Sequence, residues 1–231
     1  MLSGGWIRPQ YRGMRIINIV LTIACATVLM AQAGFDYASV QRDTLMGITG
    51  NPEALKRAMD ACEKTLAQYP DHPAALVYHG IGLLVQSQGK PELFTKALGE
   101  MDRAAALDPD NLGVRIPRGS VLMALVRQMP ESPLRQTQLE NARGDFQYAF
   151  DMQKDGLDEL STHRLGELLQ NLGDAYSRLN KPGEAQKYYE LIQAKLPDTE
   201  YSKRARQWME TRQPLPAAQT ACIGCHTGKT R

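Results

Sequence analysis

The chain has 231 residues, of which 27 are basic and 25 are acidic, so its formal net charge is +2 at neutral pH. A charge so close to zero gives no support for binding nucleic acids or anionic membranes through bulk electrostatics. Of the four cysteines, Cys25 lies in the apolar N-terminal run and Cys222 and Cys225 are only three positions apart, which leaves Cys62 without a partner for a disulfide framework. The length is sufficient for a domain whose stability comes from a packed core.

The N-terminus has the features of an export signal. Three arginines precede an apolar run from Ile16 to Met30, and no acidic residue occurs before Asp36. Ala31-Gln32-Ala33 follows with the small-x-small pattern of a cleavage site, so we predict that residues 1–33 are a signal peptide. Its removal deletes three arginines and no carboxylate, which leaves 24 basic against 25 acidic residues and a net charge of −1.

Two alternatives to this leader remain open. The apolar run of 15 residues is shorter than the ~20 residues that span a bilayer, which favours cleavage, but residues 16–30 could also stay as an uncleaved membrane anchor. Translation could begin at Met14 instead of Met1, because Met14 and Arg15 followed by the apolar run form a complete short signal.

The region 34–212 contains four related segments, each starting with a proline after turn residues. A proline at the first helical position loses no hydrogen bond and has a favourable φ, so each segment predicts a helix start. Each helix then carries alanine at its first buried position and an apolar residue four positions later. The prolines are Pro52, Pro91, Pro133 and Pro182, and the alanines are Ala58, Ala97, Ala142 and Ala185. The alanines are 39, 45 and 43 residues apart.

The last copy has the pattern Leu169-x2-Leu172-Gly173-x2-Tyr176-x8-Ala185-x3-Tyr189-x2-Ile192-x4-Pro197. This resembles the tetratricopeptide repeat, a helical hairpin in which Gly and Ala lie where the two helices cross. The second copy aligns through Tyr78, Gly82, Ala97 and Met101, and the third has a stretched loop from Met129 to Ser132. The resemblance implies an all-α superhelix of about 3.5 repeats.

The first copy has a good second helix, predicted from Pro52 to Gln68, and only a weak first one, from about Asp36 to Met46. A further helix is predicted from Thr199 to Arg212. Its apolar side would close the repeat array, whereas Lys203, Arg204 and Arg206 form its solvated face. No segment of the sequence has the alternating pattern of a β-strand.

The segment 213–231 is predicted to be a linker followed by a functional tail. Pro214 and Pro216 make the linker extended, and Cys222-Ile223-Gly224-Cys225-His226 follows it. The spacing C-x-x-C-H is typical of c-type haem attachment, in which two thiols bind the two vinyl groups and the histidine ligates the iron. We therefore predict one covalent haem c on Cys222 and Cys225, with His226 as the proximal ligand.

Other uses of a C-x-x-C pair fit this sequence less well. A thioredoxin-like redox pair would need a βαβ context, which the sequence does not predict. A zinc site would need further cysteine or histidine ligands close by, and the tail supplies none.

The second axial position of the haem is open to several residues. The available histidines are His72, His79 and His163. The resemblance places His79 at the fifth position of its helix, which in this family faces the concave groove, so His79 is the favoured internal candidate. Met209 and Trp208 are more typical of helix packing, and Cys62 occupies a buried repeat position as an inert small residue.

Two functional hypotheses follow. In the first, the chain is an exported, periplasmic c-type cytochrome of a Gram-negative bacterium, and the repeats dock its haem onto a membrane-associated redox complex. In the second, the repeats form a periplasmic adaptor or assembly factor with a structural, sensory or absent haem. No nucleophile–base pair, paired carboxylates or phosphate loop points to an enzyme.

Overall fold

The computed structural model describes residues 34–216, and this region is all-helical, as predicted. It contains nine α-helices and one 3-10 helix, and no strand occurs within this range. The α-helices are α1 (Tyr37–Ile48), α2 (Pro52–Gln68), α3 (Pro73–Gln86), α4 (Pro91–Leu107), α5 (Leu112–Val126), α6 (Pro133–Gln153), α7 (Thr162–Arg178), α8 (Pro182–Lys195) and α9 (Glu200–Thr211). The 3-10 helix, Lys154–Glu159, continues directly from α6.

The helix starts agree with the proline pattern. Pro52, Pro91, Pro133 and Pro182 each occupy the beginning of a helix, and Pro73 does the same for α3. Polar residues cap several of these starts; the Asn51 side chain, for example, accepts a hydrogen bond from the Ala54 amide at 3.0 Å. Such caps satisfy amides that have no partner inside the helix.

Helices pack as consecutive pairs joined by short connections: α1 with α2, α3 with α4, α5 with α6, and α7 with α8. The first helices of successive pairs also contact one another, in the order α1, α3, α5 and α7. Helix α9 packs on α8 and α7, as a terminal helix should. One main hydrophobic core runs through these pairs from Val40 to Leu215.

Glycines sit where the paired helices cross. A Cβ on Gly173 would lie 2.8 Å from the ring of Tyr189, and one on Gly119 would lie 3.1 Å from the ring of Phe146. In the α3–α4 pair this position belongs to Gly80, whose Cβ would lie 2.8 Å from the carbonyl oxygen of Ala97. The alignment through Gly82 was therefore wrong by two residues, because Gly82 faces Met59 on α2 instead.

Alanine at Gly173 is expected to lower the free energy of unfolding by about 1–3 kcal/mol, because the added methyl group overpacks the crossing. Tyr189 cannot move away easily, since it is fully buried and stacks on Trp208 with 4.6 Å between ring centroids. The control is Gly144→Ala in α6, where no atom lies within 4 Å of the added Cβ. That variant should gain about 0.5–1 kcal/mol from helix propensity. If denaturant unfolding shows that both variants gain the same free energy of unfolding, the close approach of Gly173 to the Tyr189 ring is contradicted.

Helix boundaries differ from the predictions by small amounts with clear causes. Helix α1 begins one residue after Asp36, because the Asp36 side chain caps it by accepting from the Ser39 amide. Helix α9 runs from Glu200 to Thr211, with Thr199 and Arg212 as its caps. Within the described part of the chain, no helix has both the length and the apolar character required to cross a membrane.

Candidate functional site

Cys222, Cys225 and His226 lie outside the described residues, as does the predicted leader 1–33, so the predictions made for them stay predictions. The structure does describe the surfaces from which the tail departs and against which it could pack. Within residues 34–216, no group of three or more His, Cys, Asp or Glu side chains is arranged to hold a metal ion.

The tail begins from an anchored position. Helix α9 ends at Thr211, and its C-cap residue Arg212 has a left-handed conformation with φ of 57°. Leu215 is then buried, at 1 % exposure, and its carbonyl oxygen accepts a 2.6 Å hydrogen bond from Nη2 of Arg178 at the end of α7. The predicted linker is therefore held to the helical domain at its first residues.

A buried carboxylate orients this anchor. Asp174 is fully buried and accepts from Nε of Arg178 at 3.0 Å and from Nε of Arg127 at 2.8 Å. Arg127 lies just after α5 and also donates to the side-chain oxygen of Asn171 at 2.8 Å. Asp174 thus joins the end of α5, helix α7 and, through Arg178, the start of the tail.

Trp208 belongs to the core of the terminal helix, as the sequence predicted. Its side chain is fully buried, stacks on Tyr189, and donates from Nε1 to the Ser177 hydroxyl at 2.7 Å. Met209 is partly buried and packs against the same core. Trp208 is therefore not presented to solvent as a stacking partner for a haem.

The cationic face of α9 is only partly solvated. Lys203 and Arg206 are exposed, and Lys203 pairs with Glu200 at 2.5 Å. Arg204 is half-buried and donates to the side-chain oxygen of Gln170 at 3.1 Å. The solvated-face prediction therefore fits two of the three residues, whereas the third ties α9 to α7.

His79 does not face an open groove, which corrects the sequence-based placement. It is 6 % exposed, and its Nδ1 lies 2.6 Å from a carboxylate oxygen of Glu100 on α4. Its Nε2 lies 3.7 Å from Glu63 on α2. The physical reason is that Gly80, and not Gly82, faces α4 at the helix crossing. With this register, His79 lies on the inner side of α3, between α2 and α4. A planar cofactor could not approach it without displacing these helices.

His72 is also unsuited to bind iron. Its Nδ1 accepts a 3.2 Å hydrogen bond from the Ala75 amide and so caps α3, which leaves the ring proton on Nε2. The ring is 7 % exposed and lies 4.9 Å from the ring of Phe35, centroid to centroid. Burial lowers the pKa of His72, so the neutral ring is favoured.

His163, the third histidine, lines a cavity of about 580 Å³. The cavity lies at the N-terminal ends of α1, α5 and α7, and its wall also includes Phe146 and Gln153 of α6 and Leu160, which follows the 3-10 helix. Its volume is in the range of about 300–1,000 Å³ that is common for small-molecule and cofactor sites. Its wall is formed by Tyr37, Gln41, Leu112, Gly113, Ile116, Pro117, Ser120, Phe146, Gln153, Leu160, His163, Arg164, Glu167 and Leu168.

A hydrogen-bonded chain positions His163 in this wall. The Tyr201 hydroxyl donates to Oε1 of Glu167 at 3.0 Å, and Nδ1 of His163 lies 3.1 Å from the same hydroxyl oxygen. The Tyr201 hydroxyl therefore lies between His163 and Glu167 and links both side chains of α7 to α9.

The sequence did not predict this cavity, because its wall combines residues from helices that are distant along the chain. Tyr37 and Gly113, for example, are 76 positions apart and are joined by a 3.2 Å hydrogen bond from the tyrosine hydroxyl to the glycine carbonyl. The only relevant prediction from the sequence was that His72, His79 and His163 could act as ligands. The alignment with the tetratricopeptide repeat then favoured His79 over His163.

Cys62 behaves as predicted for an inert core thiol. It is fully buried, and no disulfide partner is present among the described residues. Burial, with a smaller contribution from the nearby Glu100 and Glu63 carboxylates, raises the pKa of its thiol to about 12. The thiolate that reacts with electrophiles and metals is therefore disfavoured.

Comparisons of this chain with family models, with curated proteins and with solved structures found no match.

Proposed function

We propose that this protein is an exported monohaem c-type cytochrome in which a tetratricopeptide-type helical array docks the haem onto a larger electron-transfer complex. The observation that carries the proposal is the run Cys222-Ile223-Gly224-Cys225-His226. It supplies two thiols at the spacing that one haem requires, and it supplies an imidazole for the iron. This donor set fits haem c, which would bring one-electron redox chemistry to the tail.

Two structural features support the repeat array. Consecutive helix pairs stack in chain order through α1, α3, α5 and α7, as a solenoid requires. The glycine–aromatic crossings at Gly173 and Gly119 occur at equivalent positions of two pairs. On this basis the proposed scaffold in residues 34–212 has four helix pairs, rather than the 3.5 repeats expected from the sequence, with α9 as its capping helix.

In this proposal, the helical scaffold of residues 34–212 binds the partner complex, and the tail of residues 213–231 transfers the electron. An exposed porphyrin edge leaves apolar surface that suits contact with a partner protein. The expected partner is a membrane-associated redox complex in the periplasm, and residues 16–30 are a possible second tether if the leader is retained. We propose neither an enzymatic activity nor binding to nucleic acid.

Haem attachment is the direct test. The full precursor, produced in a host with active cytochrome c maturation, should gain the mass of one haem that survives denaturation, and it should lose residues 1–33. The double variant Cys222→Ala/Cys225→Ala should remain unmodified, and its helical content should be unchanged because the two cysteines are not among the residues that form the described helices. An unmodified mass for the wild-type protein under these conditions would refute the cytochrome proposal.

The second candidate function is a periplasmic adaptor or assembly factor, and the cavity of about 580 Å³ favours it because such a cavity could receive a partner's side chains. The two functions predict different results in a capture experiment. If a version ending at residue 216 retains the same partner and the double cysteine variant has no redox phenotype, the adaptor is supported. Loss of electron transfer with retained capture supports the cytochrome.

A further inference from the structure

We propose that the cavity of about 580 Å³ binds a small amphipathic carboxylate of the medium-chain fatty acid class, whose hydrocarbon chain lies in the cavity and whose carboxylate pairs with Arg164. The wall residues lie between Tyr37 and Leu168, so this inference does not depend on a haem. The ligand class follows from the apolar wall, from an arginine without an ion pair and from polar groups that are already bonded inside the protein.

Much of the wall is apolar. Its apolar side chains come from α5, α6, α7 and the segment after the 3-10 helix, and they are Leu112, Ile116, Pro117, Phe146, Leu160 and Leu168. A hydrocarbon chain that enters the cavity removes apolar surface from water. Each buried methylene group then raises the affinity about fourfold, so most of the binding energy is expected to come from the chain.

The wall between α1 and α5 is fixed by a hydrogen bond that α5 cannot supply itself. Pro117 lies inside α5 and has no amide hydrogen, so the Gly113 carbonyl does not receive the usual bond from the residue four positions later. The Tyr37 hydroxyl donates to this carbonyl at 3.2 Å, and Tyr78 donates to the Tyr37 oxygen at 3.1 Å. The cavity is therefore formed before a ligand binds, which lowers the entropic cost of binding.

Two polar side chains of the wall use their donors within their own helices. The Ser120 hydroxyl donates to the Ile116 carbonyl at 2.8 Å, and Nε2 of Gln153 donates to the Ala149 carbonyl at 2.8 Å. A peptide would bury amide groups against this wall with few partners, which is costly. A hydrocarbon chain has no such groups, so the wall favours a fatty carboxylate over a peptide.

Arg164 supplies the positive charge for the head group. It is exposed in the first turn of α7, and no carboxylate in the described part of the chain forms an ion pair with its guanidinium. Glu167 is close in sequence, but its two carboxylate oxygens accept from the Tyr201 hydroxyl at 3.0 Å and from Asn171 at 3.4 Å. An arginine can bind a carboxylate through two parallel charge-assisted hydrogen bonds.

The helix ends around the cavity also favour an anion. Tyr37 and Leu112 are the first residues of α1 and α5, and Arg164 is in the first turn of α7, so three positive helix ends meet at this wall. None of these three helices has an acidic residue in its first turn. Asp36 caps α1, but its carboxylate accepts from the Ser39 amide. An anionic head group is therefore preferred to a cationic one.

The test measures the affinity of the full chain for decanoate, octanoate and decan-1-ol by isothermal titration calorimetry. Decanoate should bind at one site and about fifteenfold more tightly than octanoate, which buries two methylene groups fewer. Decan-1-ol should bind about tenfold more weakly than decanoate, because it lacks the charge-assisted bond to Arg164. Absence of decanoate binding, or equal affinities for decanoate and decan-1-ol, would refute the proposed site.

Two variants separate the head group from the chain. Arg164→Gln should weaken decanoate binding about tenfold and leave decan-1-ol binding unchanged. Ile116→Phe fills part of the cavity and should weaken the binding of both, with helical content checked by circular dichroism. The matched control is Arg103→Gln, which removes an exposed arginine from α4, a helix that contributes no residue to the wall. If Arg164→Gln and Arg103→Gln bind decanoate equally, Arg164 does not hold the carboxylate.

The outcomes are separate from those of the cytochrome test. The double variant Cys222→Ala/Cys225→Ala should bind decanoate as the wild type does, and a loss of binding in that variant would refute the placement in this cavity. Acetylated trileucine with a free C-terminal carboxylate should bind less tightly than decanoate. If it binds more tightly, the cavity recognises peptide ends and the assignment to fatty carboxylates is wrong.

Discussion

Alanine at Asp174 is expected to lower the free energy of unfolding by about 3–5 kcal/mol, the usual cost of removing one partner from a buried ion pair. The carboxylate is fully buried, and it accepts from both Arg127 and Arg178 within 3.0 Å. Without it, two buried guanidinium groups lose their shared counter-charge. Denaturant unfolding followed by circular dichroism measures the loss.

Two comparisons make this result specific. Asp60→Ala removes the same side chain from an exposed pair with Lys56, 2.6 Å away, and should change stability little because water screens that pair. Asp174→Asn keeps the shape of the side chain and one acceptor oxygen, so its loss should lie between the other two. If Asp174→Ala and Asp60→Ala unfold at the same denaturant concentration, Asp174 does not have the structural role inferred here.

Asp174 also connects stability to the proposed function. The carboxylate binds Nε of Arg178, and Nη2 of the same guanidinium binds the Leu215 carbonyl where the tail begins. The described chain is therefore held to the helical domain at Leu215, shortly before the proposed haem motif in the sequence. If the proposed haem is attached, this anchor would narrow the range of positions that the haem can take, which would suit electron transfer over a defined distance.

Much of the fold could be predicted because its signals are local. Proline at a helix start and the alanine–aromatic spacing of the last repeat depend on neighbouring residues, and helices α2, α8 and α9 agree with the predictions within one residue at each start. The all-α class followed from the repeated helix-start signals that cover most of the region 34–212, and no strand pattern competes with them. The haem motif is equally local, since its five residues are consecutive.

The placement of His79 failed because two glycines compete for one role. Gly80 and Gly82 both lie on α3, and only the packing distinguishes them: Gly80 meets α4, whereas Gly82 meets α2. A shift of two residues turns a helical side chain by roughly 200° about the helix axis, so an expected groove residue became a buried one. The cavity and the Asp174 cluster were missed because they join residues from different repeats.

The substitution Trp208→Ala is also expected to have a large effect: it should lower the free energy of unfolding by about 3–5 kcal/mol. The indole is fully buried and stacks on Tyr189, and its N–H binds the Ser177 hydroxyl, so truncation leaves a cavity and an unmatched polar group. Because α9 closes the array, exposure of the α7–α8 pair should follow. Hydrogen exchange should rise first in α8 and α9.

Two further substitutions serve as controls for Trp208→Ala, one at the same position and one at an exposed residue. Trp208→Phe keeps an aromatic ring against Tyr189 and loses the indole N–H, so it should cost about 1–2 kcal/mol, less than alanine. Met152→Ala, at a side chain that is 62 % exposed, should have little effect. If Trp208→Ala raises exchange uniformly across α1 to α9 rather than first at the C-terminal end, the helices unfold as one unit. The terminal helix would then not be a separable cap, and the position of Leu215 after it would depend on the whole domain rather than on the α7–α9 region alone.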